Sequence, residues 1–311
     1  MKVLVTGGAG FIGSHIVDAL IERGNQVVIV DNLSTGFKHN LNSGAKFYHI
    51  SIADKELSEI FDLEKPDIVS HHAAQMVVAR SVRDPVFDAS ENILGGLNVI
   101  LNCVRTRVKK IIYASSGGAV YGEPQLFPVD ESYPVNPISQ YGVSKHVVEH
   151  YLYLYNVLEC LDYTVLRYSN VYGLRQNPVG EAGVVAIFAG QMLRGEQPTI
   201  FGDGTKTRDY TFIADIVQAN LLAMERGSRR ICNIGTGIET SDRDMFDALA
   251  KILHFGSPPI FASARKGEVY RISLNNSLAR RELGWEPRFS LEKGLEMSVD
   301  YYRQSNTAKS A

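Results

Sequence analysis

The chain is 311 residues long, 45% hydrophobic and 21% charged, with 32 basic against 34 acidic side chains and a formal net charge of −2. That balance gives no basic surface for nucleic acid and no polybasic membrane patch, and the length predicts one large domain carrying a smaller one. The three cysteines, Cys103, Cys160 and Cys232, stand far apart with no second Cys or His at a metal-ligand interval, so no metal site is expected and a reducing, cytoplasmic setting is.

Taken in chain order, residues 2–6 read as a short apolar strand and 13–23 as a helix, followed by strands at 26–30 and 67–71. A helix follows at 92–105, then a strand at 110–114, a helix at 139–155 and a strand at 163–167. Strands separated by helices of this length make βαβ units, so the fold class is α/β, a doubly wound parallel sheet with both faces covered. Beyond Asn170 the rhythm weakens into Gly- and Pro-rich stretches such as "YGLRQNPVGEAG", although "RRICNIG" at 229–235 still reads as a buried strand. The expected division is a dinucleotide-binding domain at 1–170 with a returning segment near 213–235, and a smaller, mainly substrate-binding domain at 171–311. The closing "QSNTAKSA" reads as a frayed tail. The first glycine pair comes too early for a signal peptide, and no run of 18 apolar residues occurs, so a soluble intracellular protein is expected.

The first strand runs into "TGGAGFIGSH", which sets Gly7, Gly10 and Gly13 at GxxGxxG between a strand and a helix. Gly7 permits the tight turn, Gly10 the approach of a pyrophosphate, and Gly13 close packing of helix on strand, with the helix N-terminus facing the phosphates. The next strand, "QVVIV", ends in Asp31, 18 residues after Gly13, where a carboxylate accepts from an adenosine ribose and repels a 2′-phosphate. NAD is therefore favoured over NADP. The blander role for Asp31 is to cap a loop.

Tyr141 and Lys145 stand at i and i+4 of a helical run, so they share one face. A free phenol titrates near ~10, and service as a base near neutrality takes a shift of about three units, roughly 4 kcal/mol in favour of phenolate. An ammonium nearby works in that direction, as does a positively charged nicotinamide. Alone the pair is a common surface accident; with the glycine loop upstream it becomes a candidate proton acceptor and its tuner.

Together these residues carry a resemblance. The chain resembles the extended short-chain dehydrogenase/reductases, and within them it is similar to the UDP-glucose (UDP-galactose) 4-epimerases. The motifs are "TGGAGFIGSH", "HHAA" at 71–74, Asn92, "YASSGGAVYGE" at 113–123, "YGVSK" at 141–145, "LRYSNVYG" at 166–173, "IFGDGTKTRDYTFIADI" at 200–216 and "LGWEPRFSLEKGL" near the end.

The resemblance implies an NAD-dependent isomerase that works through a transient 4-keto sugar, with Tyr141 and Lys145 catalytic. The family's serine or threonine slot, counted back from Tyr121, holds Gly117, so Ser116 is expected to take the role, the alternative being weaker hydroxyl assistance. Dehydratases and decarboxylases carry an acid where this chain has Gly118 and Ala119, which favours epimerisation over those reactions; a UDP-glucuronate 4-epimerase is the other alternative. Implied cofactor contacts are Gly7, Gly10, Phe11, Ile12, Gly13, Asp31, Asn32, Ser51, Ile52, Ala73, Ala74, Asn92, Ser115, Tyr141, Lys145 and Tyr168. Implied substrate contacts are Asn170 and Arg208 on the diphosphate, Ile200 and Phe201 beside uracil, and Glu268 and Arg271 on phosphate and ribose. For Arg208 and Arg271 the alternative is a surface ion pair, and for Ile272, near a sugar-gating position, it is core packing. Apolar faces on the helices at 85–105 and 139–155 imply a homodimer through a four-helix bundle, with intramolecular packing as the alternative.

Overall fold

The computed structural model describes residues 1–178, 183–264 and 269–307. Its main sheet holds β1 (Lys2–Thr6), β2 (Gln26–Asp31), β3 (Lys46–His49), β4 (Ile68–His71), β5 (Lys110–Ser116), β6 (Asp162–Tyr168) and a late arrival, Arg230–Ile234. Between β6 and that last strand come β7 (Asn170–Tyr172), β8 (Thr199–Phe201), β9 (Thr207–Arg208) and β10 (Tyr210–Phe212), which makes Arg230–Ile234 β11; β12 (Thr240–Ser241) and β13 (Ile260–Ala262) follow. The seven strands lie in the order β11-β6-β5-β4-β1-β2-β3, every pairing parallel. The order reverses at β1, so the crevice beyond the carboxyl ends of β1 and β4 is where such a sheet takes a ligand.

The near-continuous apolar strands follow from burial on both faces. In β1, Val3 and Val5 join one core layer and Leu4 the other; in β2, Val27 and Ile29 oppose Val28 and Val30 in the same way. The first layer carries the helices Phe11–Glu22 and Ile213–Ala223, and the second carries Leu57–Glu64, Gly95–Arg105 and Gln140–Glu159. The first layer also runs on without a break through Tyr172, Phe188, Phe212, Phe246, Trp285 and Leu295 into the C-terminal elements. There the helices Val184–Leu193, Asp242–Leu253 and Leu291–Thr307 pack on one another. The Trp285 indole donates 2.8 Å to the Asp215 carbonyl, while the Asp215 carboxylate accepts from the amides of Arg288 and Phe289.

Three differences from the sequence expectations have physical causes. The helix Val184–Leu193 falls in the stretch read as irregular; its residues are apolar nearly all round because it is sandwiched in the core, so no amphipathic period marks it. The helix expected at 92–105 begins as a π-turn over Ala89–Leu94 and is regular only at Gly95–Arg105. The final helix continues through Gln304 to Thr307, inside the segment read as a frayed tail.

Candidate active site

Strand β1 runs into a turn that requires glycine. Gly7 has φ +72°, and a Cβ there would stand 2.7 Å from the Ala73 nitrogen, while a Cβ on Gly13 would stand 2.2 Å from the Gly7 carbonyl oxygen. Gly10 is the N-cap of the Phe11–Glu22 helix and offers no side-chain acceptor, so the first-turn amides around Phe11 and Ile12 are not capped from within. The loop after β4 closes on this turn: the amides of His72 and Ala73 both donate to Thr6 Oγ1, with Ala74 half-buried beside them. Asp31, buried at the end of β2, accepts from the Ala9 amide at 2.9 Å through one oxygen and from the Leu33 amide at 2.7 Å through the other. It caps the loop, and each oxygen retains a lone pair for a ribose hydroxyl. Asn32 is exposed and accepts from the Ser34 amide. Ser51 forms a local turn with Ala53 and Asp54, and Ile52 is buried against Gly95.

Tyr141 and Lys145 occupy the first turns of the Gln140–Glu159 helix, whose N-cap Ser139 accepts from the Gly142 amide at 3.2 Å. The Lys145 ammonium is buried, donates 2.8 Å to the Ala114 carbonyl, and lies 5.9 Å from the centre of the Tyr141 ring. Burial pulls the amine down to about 8, opposed by the charges of Asp88 and Glu149. The phenol moves against the sequence expectation. Tyr141 is half-buried as a residue but enclosed at its hydroxyl, and that burial pushes it up to about 12, against a lowering hydrogen bond from Ser116. Desolvation outweighs everything the chain alone supplies toward phenolate. The hydroxyl that works toward phenolate is that of Ser116, the last residue of β5. Gly117 is closed off: a Cβ there would stand 2.5 Å from Leu274 Cδ1. Asn170 Oδ1 and Ser116 Oγ both flank Gly118, a Cβ there lying 3.3 Å from the first and 3.9 Å from the second.

Several expected contacts are engaged elsewhere. Ser115 donates to Glu149, which also takes a bidentate pair from Arg167 at 2.9 and 2.6 Å, both residues being buried. Strand alternation accounts for this, because Ser115 and Arg167 are register partners facing the Gln140–Glu159 helix. Tyr168, one residue on, faces the other layer and exchanges hydrogen bonds with Asn220 inside the core. Asn92 sits in the π-turn and is bonded to both backbone groups of Gln75, to Asp88 and to Ser144. Ile200 is 1% exposed, so its side chain belongs to the core, and Phe201 is half-buried beside it. Ile272, likewise, packs with Val120, Val129 and Leu274. Arg208 is half-buried and donates to the carbonyls of Thr207 and Tyr270; among the described residues no carboxylate pairs with it. Arg271 is instead paired bidentately with Glu239 at 3.0 and 2.9 Å, its guanidinium 4.4 Å from the Phe127 ring centre. Glu268 lies outside the described residues.

Sequence reading missed the polar groups behind the site: Asp88, Gln75, Ser144, Ser81 and the Glu149–Arg167 pair. Spacing held a signal for one of them, since Glu149 continues the 141, 145 series by another four residues.

With this geometry in view, residues 3–235 match the family described as the NAD dependent epimerase/dehydratase family. The chain belongs to that family. It is similar to the UDP-glucose 4-epimerase of Mycolicibacterium smegmatis, 42% identical over 312 residues that cover 98% of this chain and 100% of that protein. It superposes on the crystal structure of Thermotoga maritima UDP-glucose 4-epimerase with UDP-glucose at a TM-score of 0.97, with 50% identity, covering 98% of this chain and all of that one. The Thermus thermophilus UDP-glucose 4-epimerase complex with NAD matches at 0.93 and 42% identity, with 97% and 99% covered. NAD is the family's cofactor, and this chain's own residues fit it: a glycine turn too close for any Cβ, an uncapped helix N-terminus above it, and a buried carboxylate at the end of β2. Among the described residues no group of His, Cys, Asp or Glu could hold a metal ion, and no helix is long and apolar enough to cross a membrane.

Proposed function

We infer that this epimerase/dehydratase family member is a UDP-glucose 4-epimerase, an isomerase that interconverts UDP-glucose and UDP-galactose. What supports the reading is Lys145 set 5.9 Å from the centre of the Tyr141 ring on one helix face, with Ser116 acting on the phenol, in a chain 42–50% identical over nearly its whole length to UDP-glucose 4-epimerases. Bound NAD supplies the acceptor, and later the donor, of the hydride at carbon 4 of the hexose.

Tyr141 takes the proton of the 4-hydroxyl and later returns one, with Ser116 donating a hydrogen bond that favours its ionised form. Lys145 keeps a positive charge one helical turn away, and the cofactor's own charge adds to it, opposing the desolvation that holds the phenol protonated in the chain alone. The 4-keto sugar must present its opposite face before the hydride returns, so binding energy has to sit on the diphosphate and uridine rather than on the hexose. Arg208, half-buried and without a carboxylate partner among the described residues, suits the diphosphate, and Asn170 is a second candidate for it. Arg271, held by Glu239, would first have to be released. Gly118 and Ala119 bring no acid to expel a hydroxyl, which disfavours dehydration.

The test offers UDP-galactose, UDP-N-acetylgalactosamine and UDP-glucuronate in turn and follows product configuration by NMR; inversion of the first supports the reading, and inactivity on all three overturns it. A homodimer is part of the same reading. Val86, Leu94 and Leu101 on one side and Val143, Tyr153, Leu154, Val157 and Leu158 on the other leave two neighbouring helices with exposed apolar side chains. A dilution series by light scattering that finds only monomer removes it. Together with the reduced, unpaired cysteines these features suit a cytoplasmic enzyme.

A further inference from the structure

Asp88 is 1% exposed and ends the short helix Pro85–Asp88, just before the π-turn. Its Oδ1 accepts from two neutral amides, Gln75 Nε2 at 2.8 Å and Asn92 Nδ2 at 3.1 Å, and no cation among the described residues is bonded to it. The same Asn92 amide group donates to Ser144 Oγ at 3.1 Å, and Ser144 donates to the Tyr141 carbonyl at 3.0 Å. From the same flank the buried Ser81 hydroxyl accepts from the Tyr141 amide at 3.1 Å. Both backbone groups of Tyr141 are therefore held by side chains, and one of the two holds leads back to Asp88.

Titratable and polar groups from several elements surround the Tyr141–Lys145 pair. His71 and His72 come from the end of β4 and the loop after it, and burial followed by the Lys145 charge keeps both well below the usual histidine range. Tyr113 on β5 faces Lys145 at 5.0 Å and is held neutral by burial. Ser116 reaches the phenol itself. Glu149 follows on the same helix, but its charge is met by the bidentate Arg167. Asp88 is left as the carboxylate whose charge acts on Lys145 while its own hydrogen bonds go to neutral amides.

We propose that Asp88 is a positioning residue of the active site, which anchors the Asn92–Ser144–Tyr141 chain of hydrogen bonds and sets a fixed negative charge against Lys145. A buried carboxylate that leans on amides is costly unless a cation faces it, and the cation here is the one beside the proposed proton acceptor. The proposal rests on the epimerase reading only where it speaks of turnover.

The test uses NAD-saturated protein labelled with 13Cε-lysine, the Lys145 resonance being identified by its loss in Lys145→Arg. Asp88→Asn keeps an acceptor for both amides and removes the charge. Its Lys145 titration is expected to fall by about half a unit or more, kcat to drop about tenfold, and the rising limb of the kcat/KM profile to move to lower pH, because the same charge also opposes the phenolate. A lysine titration unchanged from wild type overturns the proposal. Ser144→Ala, which cuts the chain of hydrogen bonds and leaves the charge in place, covers the case in which Asp88→Asn fails to fold: kcat falls with the KM for UDP-galactose unchanged, and an unaltered kcat overturns the proposal. Absence of epimerase activity in wild type would sink the functional reading alone, since the lysine titration still decides the role of Asp88.

Discussion

Replacing Ser116 by Ala asks how much of the chemistry depends on a single hydroxyl. Burial, joined by the Asp88 charge, pushes the Tyr141 phenol up to about 12 against the Ser116 hydrogen bond, the lowering influence the chain supplies. A hydrogen bond to a charged acceptor contributes about 1.5–3 kcal/mol. Lost from the transition state, that is a fall in kcat of about ten- to a hundredfold, since each 1.36 kcal/mol is about a factor of ten. The KM should change little, because the contact strengthens only as the phenol loses its proton. The assay converts UDP-galactose, with product oxidised by a coupled UDP-glucose dehydrogenase and read at constant NAD. The companion Gly117→Ser moves the hydroxyl one residue along. Its Cβ would stand 2.5 Å from Leu274 Cδ1, inside the ordinary ~3.5–4.0 Å carbon contact, so Leu274 must give way by about 1 Å. That overpacking costs about 1–3 kcal/mol and lowers the melting temperature, and Ser116→Ala/Gly117→Ser should not recover the rate. A Ser116→Ala enzyme within twofold of wild type refutes the assignment of the hydroxyl, and recovery in the double variant refutes the steric argument.

Tyr141→Phe should cut kcat by orders of magnitude while NAD still binds, as fluorescence titration would show; a mild loss rejects the tyrosine as proton acceptor. Gly13→Ala brings a Cβ within 2.2 Å of the Gly7 carbonyl oxygen, and two backbone segments must part, so NAD affinity measured calorimetrically should fall more than about tenfold in a folded protein. Arg167→Met strands Glu149, whose carboxyl burial pushes up and Arg167, followed by His146, brings back below the usual range; about 3–5 kcal/mol of stability should go in denaturant unfolding. For Glu64, burial pushes the carboxyl up, but hydrogen bonds from Lys46, Tyr48 and Lys2 prevail and take it to about 2 from an ordinary 4.5. Because the folded value lies below the unfolded one, its stabilisation is present above pH 4.5 and lost as pH falls toward 2. Glu64→Gln should therefore flatten the acid limb of a melting-temperature profile, and an unchanged limb contradicts the linkage.

The sheet was legible because its strands are buried on both faces and written as unbroken apolar runs, and the glycine turn because close backbone contact leaves only one residue type. Strand β3 and the helix Leu57–Glu64 were passed over: "KFYH" is short and half-exposed at the sheet edge, with no period to betray it. The Tyr141–Lys145 pair could be seen from spacing, yet the direction of the phenol's shift could not, since desolvation depends on what the fold lays over a side chain. The same limit explains Ser115 and Tyr168. Motif position placed both beside a ligand, whereas strand alternation turned one toward Glu149 and the other toward Asn220. Asp88 and Gln75 carry no sequence signal because only the path of the chain brings them together.

Among the described residues the apolar layer runs unbroken from beneath the sheet to Trp285 and Leu295, so the two halves cannot part along it without wetting hydrocarbon. Heating should accordingly give one calorimetric peak with matching van't Hoff enthalpy rather than two.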